Sequence, residues 1–348
     1  QGLSDGRFAL ITKTHHSMID GISGVDLASV LFDVTPVPRE VEPEPWTPSP
    51  EPSAAELVAD GVKDFVKAPL GAFGRALGAV QRPGRAVREV REAAEGIGEV
   101  AWANLNPAPQ IPLNVPIGPH RRIRWVGAPL GDFKRVKNEL GGTVNDVVLA
   151  VVAGALRRWL HSRGVRTEGL ELRALVPVSI RAEDEHDALG NRIAAMRGPL
   201  PVYVDDPVER LRIVSESMTG LKESKQALGA EVIAGLTGFA PPTILAQASR
   251  LNFSTRLFNV IVTNVPGPQF PLYMHGRELE ELVPLAFLPE DHAMAIAIMS
   301  YNGTACFGLL ADFDAMPDLD YMARALEESL AELLKAAGAA PTTAGASS

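Results

Sequence analysis

The sequence has one cysteine, no long hydrophobic run and no excess of positive charge, and each absence excludes a class of protein. Cys306 alone can form neither an internal disulfide nor a thiolate metal site, so the hydrophobic core must stabilise the fold. The longest apolar stretch, residues 147–156, is shorter than the ~20 residues of a membrane-spanning helix. The net charge of −9 argues against broad nucleic-acid binding, which depends on an excess of Lys and Arg.

Several enzyme motifs and targeting signals are also absent. The sequence has no Gly-x-Ser-x-Gly turn, which carries the nucleophile of serine hydrolases of the α/β type, and no Walker-type phosphate loop. It has no signal-peptide pattern, so we expect a cytoplasmic protein. Because an apolar strand pattern follows Gln1 almost at once, we also expect the chain to be a fragment whose N-terminal part lies elsewhere.

The chain does contain enough apolar residues for a packed protein. Its 348 residues, of which 46% are hydrophobic, suffice for about two domains. Prolines recur in residues 33–52 and 107–119, where they fix φ and remove backbone donors, so both stretches are predicted as linkers. The tail beyond residue 336 is rich in Ala, Gly, Thr and Ser and is predicted to be disordered.

Hydrophobic periodicity predicts alternating strands and helices, the pattern of an α/β fold. The predicted strands are residues 8–14, 122–126, 172–176, 192–200, 257–263, 293–300 and 305–310. The predicted helices are residues 22–32, one or two in 54–104, then 132–140, 143–163, 207–225 and 319–336. Thr143 with Asp146 has the pattern of a capping box, and Asn302-Gly303 predicts a tight hairpin turn.

The residues with the most chemical information are 15–21, which read His-His-Ser-Met-Ile-Asp-Gly. If residues 8–14 form a strand, His16 continues one face of it at the carboxyl end, where α/β sheets place ligands. A neutral imidazole there is suited to take a proton from a hydroxyl and return it. Asp20 and Gly21 complete the segment, and Gly21 allows a sharp turn or a close approach of substrate.

Three other interpretations of this segment stay open from the residues alone. The two histidines can be surface or core residues without a chemical role. A metal site is weakly supported, because His16 and Asp20 supply two ligands where a catalytic zinc has three. A Ser-His-Asp hydrolase is also weakly supported, because Ser17 cannot be assumed to face its neighbour His16.

The segment matches the His-His-x-x-x-Asp-Gly motif of the acyl-CoA-dependent acyltransferase superfamily. More specifically, the chain resembles the bacterial wax ester synthase/diacylglycerol acyltransferase family. The resemblance rests on residues 15–21, on Asn-Asp-Val-Val-Leu-Ala at 145–150, on 176–181 and 190–192, on Asn-Val-Pro-Gly-Pro at 264–268, and on 301–318. These matches follow in order along nearly the whole chain.

The resemblance implies a chloramphenicol acetyltransferase-like fold of two domains, with mixed sheets flanked by helices and a tunnel between the domains. Residues 1–35 would be the rest of an N-terminal domain that carries the His-His motif, and residues 36–119 a linker and helical connector. Residues 120–336 would form the C-terminal domain, and 337–348 the tail. Family members have over a hundred further residues before the motif, and the missing piece is expected to bind non-covalently.

The implied activity is transfer of a long-chain acyl group from acyl-CoA, a co-substrate, to diacylglycerol or a fatty alcohol, without cofactor or metal. His16 would be the general base in a ternary complex, and His15 would support the loop. Asp20 would hold the loop through a salt bridge to an arginine, with Arg181 and Arg192 as candidates. Gly21 would keep the channel clear.

Two further motifs have both structural and functional interpretations. Asn145 and Asp146 can simply cap a helix, or they can shape the site and contact substrate. Asn264, Pro266 and Gly267 belong to a segment that is predicted as a turn that ends a strand, because prolines prevent continued pairing. That turn would lie near the tunnel. Cys306 is predicted to be an inert buried thiol.

Residues 63–91 combine basic and apolar side chains, so they can lie on an anionic membrane or lipid droplet, or pack as a helical connector. Two alternative functions stay open. A related acyltransferase, of polyketide-associated or condensation type, would use another acceptor and an acylated carrier. A non-catalytic protein would bind lipid or CoA. His120, His161, His186, His275 and His292 show no partner pattern.

Overall fold

The computed structural model describes residues 3–4, 6–14, 31–40, 53, 106–179, 193–223 and 255–338. Eight strands and four helices follow one another in these described ranges. The strands are β1 (Arg121–Pro129), β2 (Leu172–Ser179), β3 (Ile193–Leu200), β4 (Val260–Pro266), β5 (Tyr273–Met274), β6 (Arg277–Glu278), β7 (Met294–Tyr301) and β8 (Thr304–Asp312). The helices are α1 (Leu130–Leu140), α2 (Val144–Ser162), α3 (Pro207–Glu223) and α4 (Leu319–Ala336).

Six of the strands form one mixed sheet in the order β1-β8-β7-β4-β2-β3. β4 runs parallel to both β2 and β7, whereas the other neighbours are antiparallel. The predicted α/β fold with a mixed sheet flanked by helices is therefore confirmed. The carboxyl ends of β2, β4 and β7 meet at one edge of the sheet, the edge at which α/β proteins place ligands. The predicted domain boundaries stay predictions.

The helices cover one face of the sheet and form the main core with it. Alternate side chains of the strands, such as Phe307, Ile296 and Val262, point to this face and are buried among the helices. The side chains between them point to the other face, where Ala295, Ile261 and Leu175 form a smaller cluster. This cluster packs against Ala286 and Leu288 of the segment before β7.

Helix α2 is the centre of the main core, and its sequence explains why. Nearly every residue from Val147 to Leu156 is apolar and buried, as expected of a helix surrounded by other elements. Within the described ranges no single helix is long and apolar enough to span a membrane. Only α1 and α2 together meet that test, and they are bent by 99° to one another.

Most of the predicted elements are confirmed. β1, β2, β3, the four helices and the β7–β8 hairpin lie where the periodicity placed them, with ends shifted by a few residues. The hairpin turn has the positive φ angles at Asn302 and Gly303 that an Asn-Gly turn requires. Residues 22–30 of one predicted helix, the helices in 54–104 and most of the tail lie outside the described residues.

Two predictions are wrong. Residues 8–14 form no strand, because the described part of the chain contains no strand that pairs with them, and Phe8 is 55% and Ile11 90% exposed. An alternating pattern becomes a strand only when a neighbour supplies the hydrogen bonds. The second error concerns Asn264 and Pro266, which continue β4 instead of ending it. β4 remains in register with β7 as far as Pro266, opposite Ser300.

Candidate functional site

The predicted site residues divide into two groups. His15, His16, Asp20, Gly21, Arg181 and Arg192 lie outside the described residues, so their roles stay predictions. Asn145, Asp146, Asn264, Pro266 and Gly267 are described, and they lie where the start of α2 meets the end of β4.

The start of α2 is held by a complete capping box. The Thr143 hydroxyl accepts a hydrogen bond from the backbone N–H of Asp146 at 3.2 Å, and the Asp146 carboxylate accepts one from the N–H of Thr143 at 2.8 Å. The capping interpretation of Asp146 is thus confirmed, and its side chain is buried. Its other carboxylate oxygen, Oδ1, is also buried and has no hydrogen-bond partner among the described residues.

Asn145 is the half-buried neighbour of this cap, and it faces the end of β4. The Asn264 side-chain amide donates a weak hydrogen bond to the Asn145 amide oxygen, at 3.4 Å. Asn264 lies on the helix-covered face of the sheet, opposite Ile298 of β7. The two motifs are 119 residues apart in sequence, and the structure brings them together at the carboxyl edge of the parallel strands.

The side-chain amides of Asn145 and Asn264 can bind a ligand, whereas Asp146 holds the helix end on which Asn145 lies. Each amide offers both a donor and an acceptor, and both side chains remain partly exposed. They can therefore bind a carbonyl, hydroxyl or amide group of a ligand. Substrate contact by Asn145 or by Asp146 stays a prediction.

Beyond Pro266, the last residue of β4, the chain passes very close to β7. A Cβ atom on Gly267 would overlap the backbone carbonyl oxygen of Ser300, closer than real Cβ atoms come to such an oxygen. Gly267 is required here for space, and its φ is not in the left-handed region. This lack of space supports the prediction that residues 264–268 have a structural role near the end of β4.

Sequence reasoning missed Gln269, whose side chain binds three groups around this turn. Its amide nitrogen donates to the Gly267 carbonyl at 2.9 Å and to the Ser300 hydroxyl at 3.0 Å. Its amide oxygen accepts from the backbone N–H of Gly303 at 3.1 Å. The position of Gln269 directly after the Pro-Gly-Pro turn was the only signal in the sequence.

The remaining chemistry-bearing residues have structural surroundings. The predicted burial of the Cys306 thiol is confirmed, and burial raises the pKa of this thiol to about 12, which disfavours the reactive thiolate. His292 is fully buried, with its ring nitrogens 2.8 Å and 3.2 Å from the carbonyl oxygens of Glu290 and Phe258. Burial lowers the pKa of His292. Within the described ranges, no group of three or more His, Cys, Asp or Glu side chains could hold a metal ion.

The mixed sheet with helices on one face matches the fold of a solved wax ester synthase/diacylglycerol acyltransferase, which is of the chloramphenicol acetyltransferase-like type. Residues 1–148 match the wax ester synthase/diacylglycerol acyltransferase catalytic domain, and residues 189–334 match the C-terminal domain of the same family. The chain belongs to this wax ester synthase/diacylglycerol acyltransferase family.

Individual relatives agree with this assignment. The chain is 34% identical over 340 residues to a putative diacylglycerol O-acyltransferase of Mycobacterium bovis, covering 97% of this chain and 73% of the relative. It is 31% identical to a probable diacylglycerol O-acyltransferase of Mycobacterium tuberculosis, over 96% of this chain and 70% of the relative. A solved wax ester synthase/diacylglycerol acyltransferase from Marinobacter aquaeolei is 26% identical, with a TM-score of 0.60 over 93% of this chain and 67% of that one.

Proposed function

We propose that this protein is an O-acyltransferase that transfers a long-chain acyl group from acyl-CoA to diacylglycerol, to a fatty alcohol, or to both. The products would be triacylglycerol and wax ester. The observation that carries the proposal is the continuous similarity to relatives named diacylglycerol O-acyltransferases over nearly the whole chain. The His-His-x-x-x-Asp-Gly segment, residues 15–21, lies inside the match to the catalytic domain.

The proposed chemistry is direct transfer in a ternary complex. His16 removes the proton from the acceptor hydroxyl while the oxygen attacks the thioester carbon of acyl-CoA. The resulting tetrahedral oxyanion collapses, the C–S bond breaks, and the imidazolium of His16 gives its proton to the CoA sulfur. The products are an ester and free CoA, and His16 is neutral again. No acyl-enzyme forms.

The other site residues have supporting roles in this proposal. His15 and Asp20 hold the loop, with Arg181 or Arg192 as the salt-bridge partner of Asp20, and Gly21 leaves room for substrate. Asn145 and Asn264 supply amide groups at the wall of the site, which is supported by their contact at the carboxyl edge of the sheet. Asp146 fixes the helix end on which Asn145 lies.

The test is a turnover assay with palmitoyl-CoA and either diacylglycerol or hexadecanol, in which free CoA and lipid product are both measured. We expect acceptor-dependent CoA release, and His16→Ala should lower kcat about 10²- to 10⁴-fold. His120→Ala is the matched control, because His120 is an exposed histidine at a ring edge of Phe313, and it should retain full activity.

Other outcomes would favour the alternatives. Turnover only with an acylated carrier protein would favour a condensation-type enzyme. Binding of palmitoyl-CoA without turnover, unchanged by His16→Ala, would favour a lipid- or CoA-binding protein. Either result would overturn the proposed reaction.

We also propose that a further polypeptide segment, the N-terminal part of the same protein, binds this chain. The relatives are longer, since the chain covers 73% of one and 67% of another. Residues 8–14 have a strand pattern but are exposed and unpaired within the described part of the chain. Mass spectrometry of the natively purified protein should detect such a fragment, and its absence from an active preparation would refute this proposal.

We propose, finally, that the enzyme works in the cytoplasm at the surface of a membrane or lipid droplet. Its proposed acceptors partition into lipid, and residues 63–91 have the basic and apolar side chains of a lipid-binding segment. Co-sedimentation with vesicles that contain anionic lipid should decrease when the arginines and lysines of 63–91 are replaced by glutamine. Unchanged binding would assign these residues to the connector role.

A further inference from the structure

We infer that Gln269 is a positioning residue of the proposed acyl-transfer site, because its side chain ties the exit of β4 to the β7–β8 hairpin and so fixes Asn264 opposite Asn145. This inference rests on the proposed function. It adds a residue that the motifs do not include, and it gives the Asn-Gly hairpin a role in holding the site.

The first step is the hydrogen-bond pattern, which fixes the orientation of the Gln269 amide. Its nitrogen donates to two oxygen acceptors, the Gly267 carbonyl and the Ser300 hydroxyl. Its oxygen accepts from a backbone N–H, that of Gly303. A flipped amide would set oxygen against oxygen at the Gly267 carbonyl and N–H against N–H at Gly303, so these two contacts fix the orientation.

The second step is that the same segment is bound to the hairpin through its backbone. The N–H of Asn302 donates to the Pro268 carbonyl at 3.0 Å, and Gly267 lies directly on the Ser300 carbonyl. The hairpin is in turn bound to the start of α1, because the N–H of Leu130 donates to the Gly303 carbonyl at 2.8 Å. The turn after β4, the hairpin and the start of α1 therefore form one connected unit.

The third step connects this unit to the site. Asn264 lies two residues before the last residue of β4, Pro266, which still pairs with Ser300. The Asn264 to Asn145 contact is long, at 3.4 Å, so it cannot by itself hold the strand end in place. Pairing with β7 as far as Pro266 and the shorter contacts of Gln269 just beyond it hold the strand end together. A displacement of this end would move Asn264 away from Asn145.

The test uses Gln269→Met, which keeps the length of the side chain and removes its hydrogen bonds, and Gln269→Glu, which keeps only the acceptor. Both are made in the full-length protein. We expect kcat with palmitoyl-CoA and the better acceptor to fall about fivefold to thirtyfold, with KM for both substrates within twofold and little change in Tm. Gln110→Met is the control, since Gln110 is exposed and its side chain has no hydrogen bond within the described residues.

A double-mutant cycle separates positioning from a merely structural role. If Gln269 acts through Asn264, Gln269→Met should have no further effect on kcat in an Asn264→Ala background. Independent, multiplicative losses would overturn the inference, as would full activity of Gln269→Met.

A readout without catalysis keeps this inference separate from the proposed function. Hydrogen exchange of peptides that cover residues 264–269 and 302–303 should be faster in Gln269→Met than in wild type. The exchange rate of peptides from α2, the internal control, should not change. Equal exchange would overturn the proposed contact even if the wild type showed no turnover. If the wild type showed no turnover while Gln269→Met still showed faster hydrogen exchange, only the proposed reaction would be contradicted.

Discussion

At the scale of single residues, the space beside β7 limits which residue can follow the end of β4. Gly267 lies so close to β7 that its backbone and the Ser300 carbonyl leave no room for a side chain. Asn264 contacts Asn145 at a point where β4 is still paired with β7. The geometry of the amide pair thus depends on a residue that has no side chain.

We predict that Gly267→Ala lowers the free energy of unfolding by about 1–3 kcal/mol, because the added methyl group must displace backbone atoms. Urea unfolding followed by circular dichroism measures the change. Gly220→Ala is the matched control, because Gly220 lies in α3 and, among the described residues outside its own helical turn, no atom lies within 4 Å of an added Cβ. The control should stabilise the protein by about 0.5–1 kcal/mol, and equal effects of the two substitutions would contradict the close approach.

At the scale of elements, the first turn of α2 combines a capping box with Asn145, a proposed residue of the site. The capping box binds two backbone groups that the helix itself leaves unsatisfied, and it orients the first turn, on which Asn145 lies. The rest of α2 is buried in the core. Packing of residues 147–156 therefore opposes a movement of the first turn.

Thr143→Ala should therefore destabilise the protein by about 1 kcal/mol, because it removes the hydroxyl that caps α2. Thr143→Ser keeps this hydroxyl and should remain close to wild type. Chemical unfolding of the three proteins measures the difference. If Ser and Ala destabilised equally, the methyl group of Thr143, and not the cap, would be the stabilising feature.

At the scale of the whole molecule, one buried carboxylate, that of Asp312, joins segments that lie far apart in sequence. Asp312, at the end of β8, accepts hydrogen bonds from the backbone N–H groups of Gly118, Asp314 and Ala315. Burial of the carboxyl opposes its ionisation, but these donors and the nearby Arg121 guanidinium hold the pKa of Asp312 below its usual value. The ionised carboxylate thus joins the chain before β1 to the chain after β8.

This interaction should make stability depend on pH in acid. Since the folded-state pKa of Asp312 lies below its unfolded value of about 3.9, its contribution is complete well above pH 4 and is lost as the pH falls through the folded pKa. Asp312→Asn should flatten the dependence of unfolding free energy on pH in this window. The exposed Asp314→Asn is the control, and an equally flattened curve for it would contradict the assignment.

The sequence could predict those parts of the fold that follow from local rules. The 3.6-residue period of α2, its Thr143 cap and the Asn302-Gly303 turn each depend on neighbours in sequence, and each is confirmed. The family resemblance rests on motifs that are also read locally, and the comparisons confirm the family.

Only the tertiary structure decided the features that depend on long-range neighbours. Residues 8–14 have the pattern of a strand but no partner in the described part of the chain, and Pro266 remains in β4 because β7 supplies a partner for pairing. The contact of Asn145 with Asn264 and the contacts of Gln269 with Ser300 and Gly303 join residues far apart in sequence. Such contacts follow from strand order and register, which no single segment of the sequence contains.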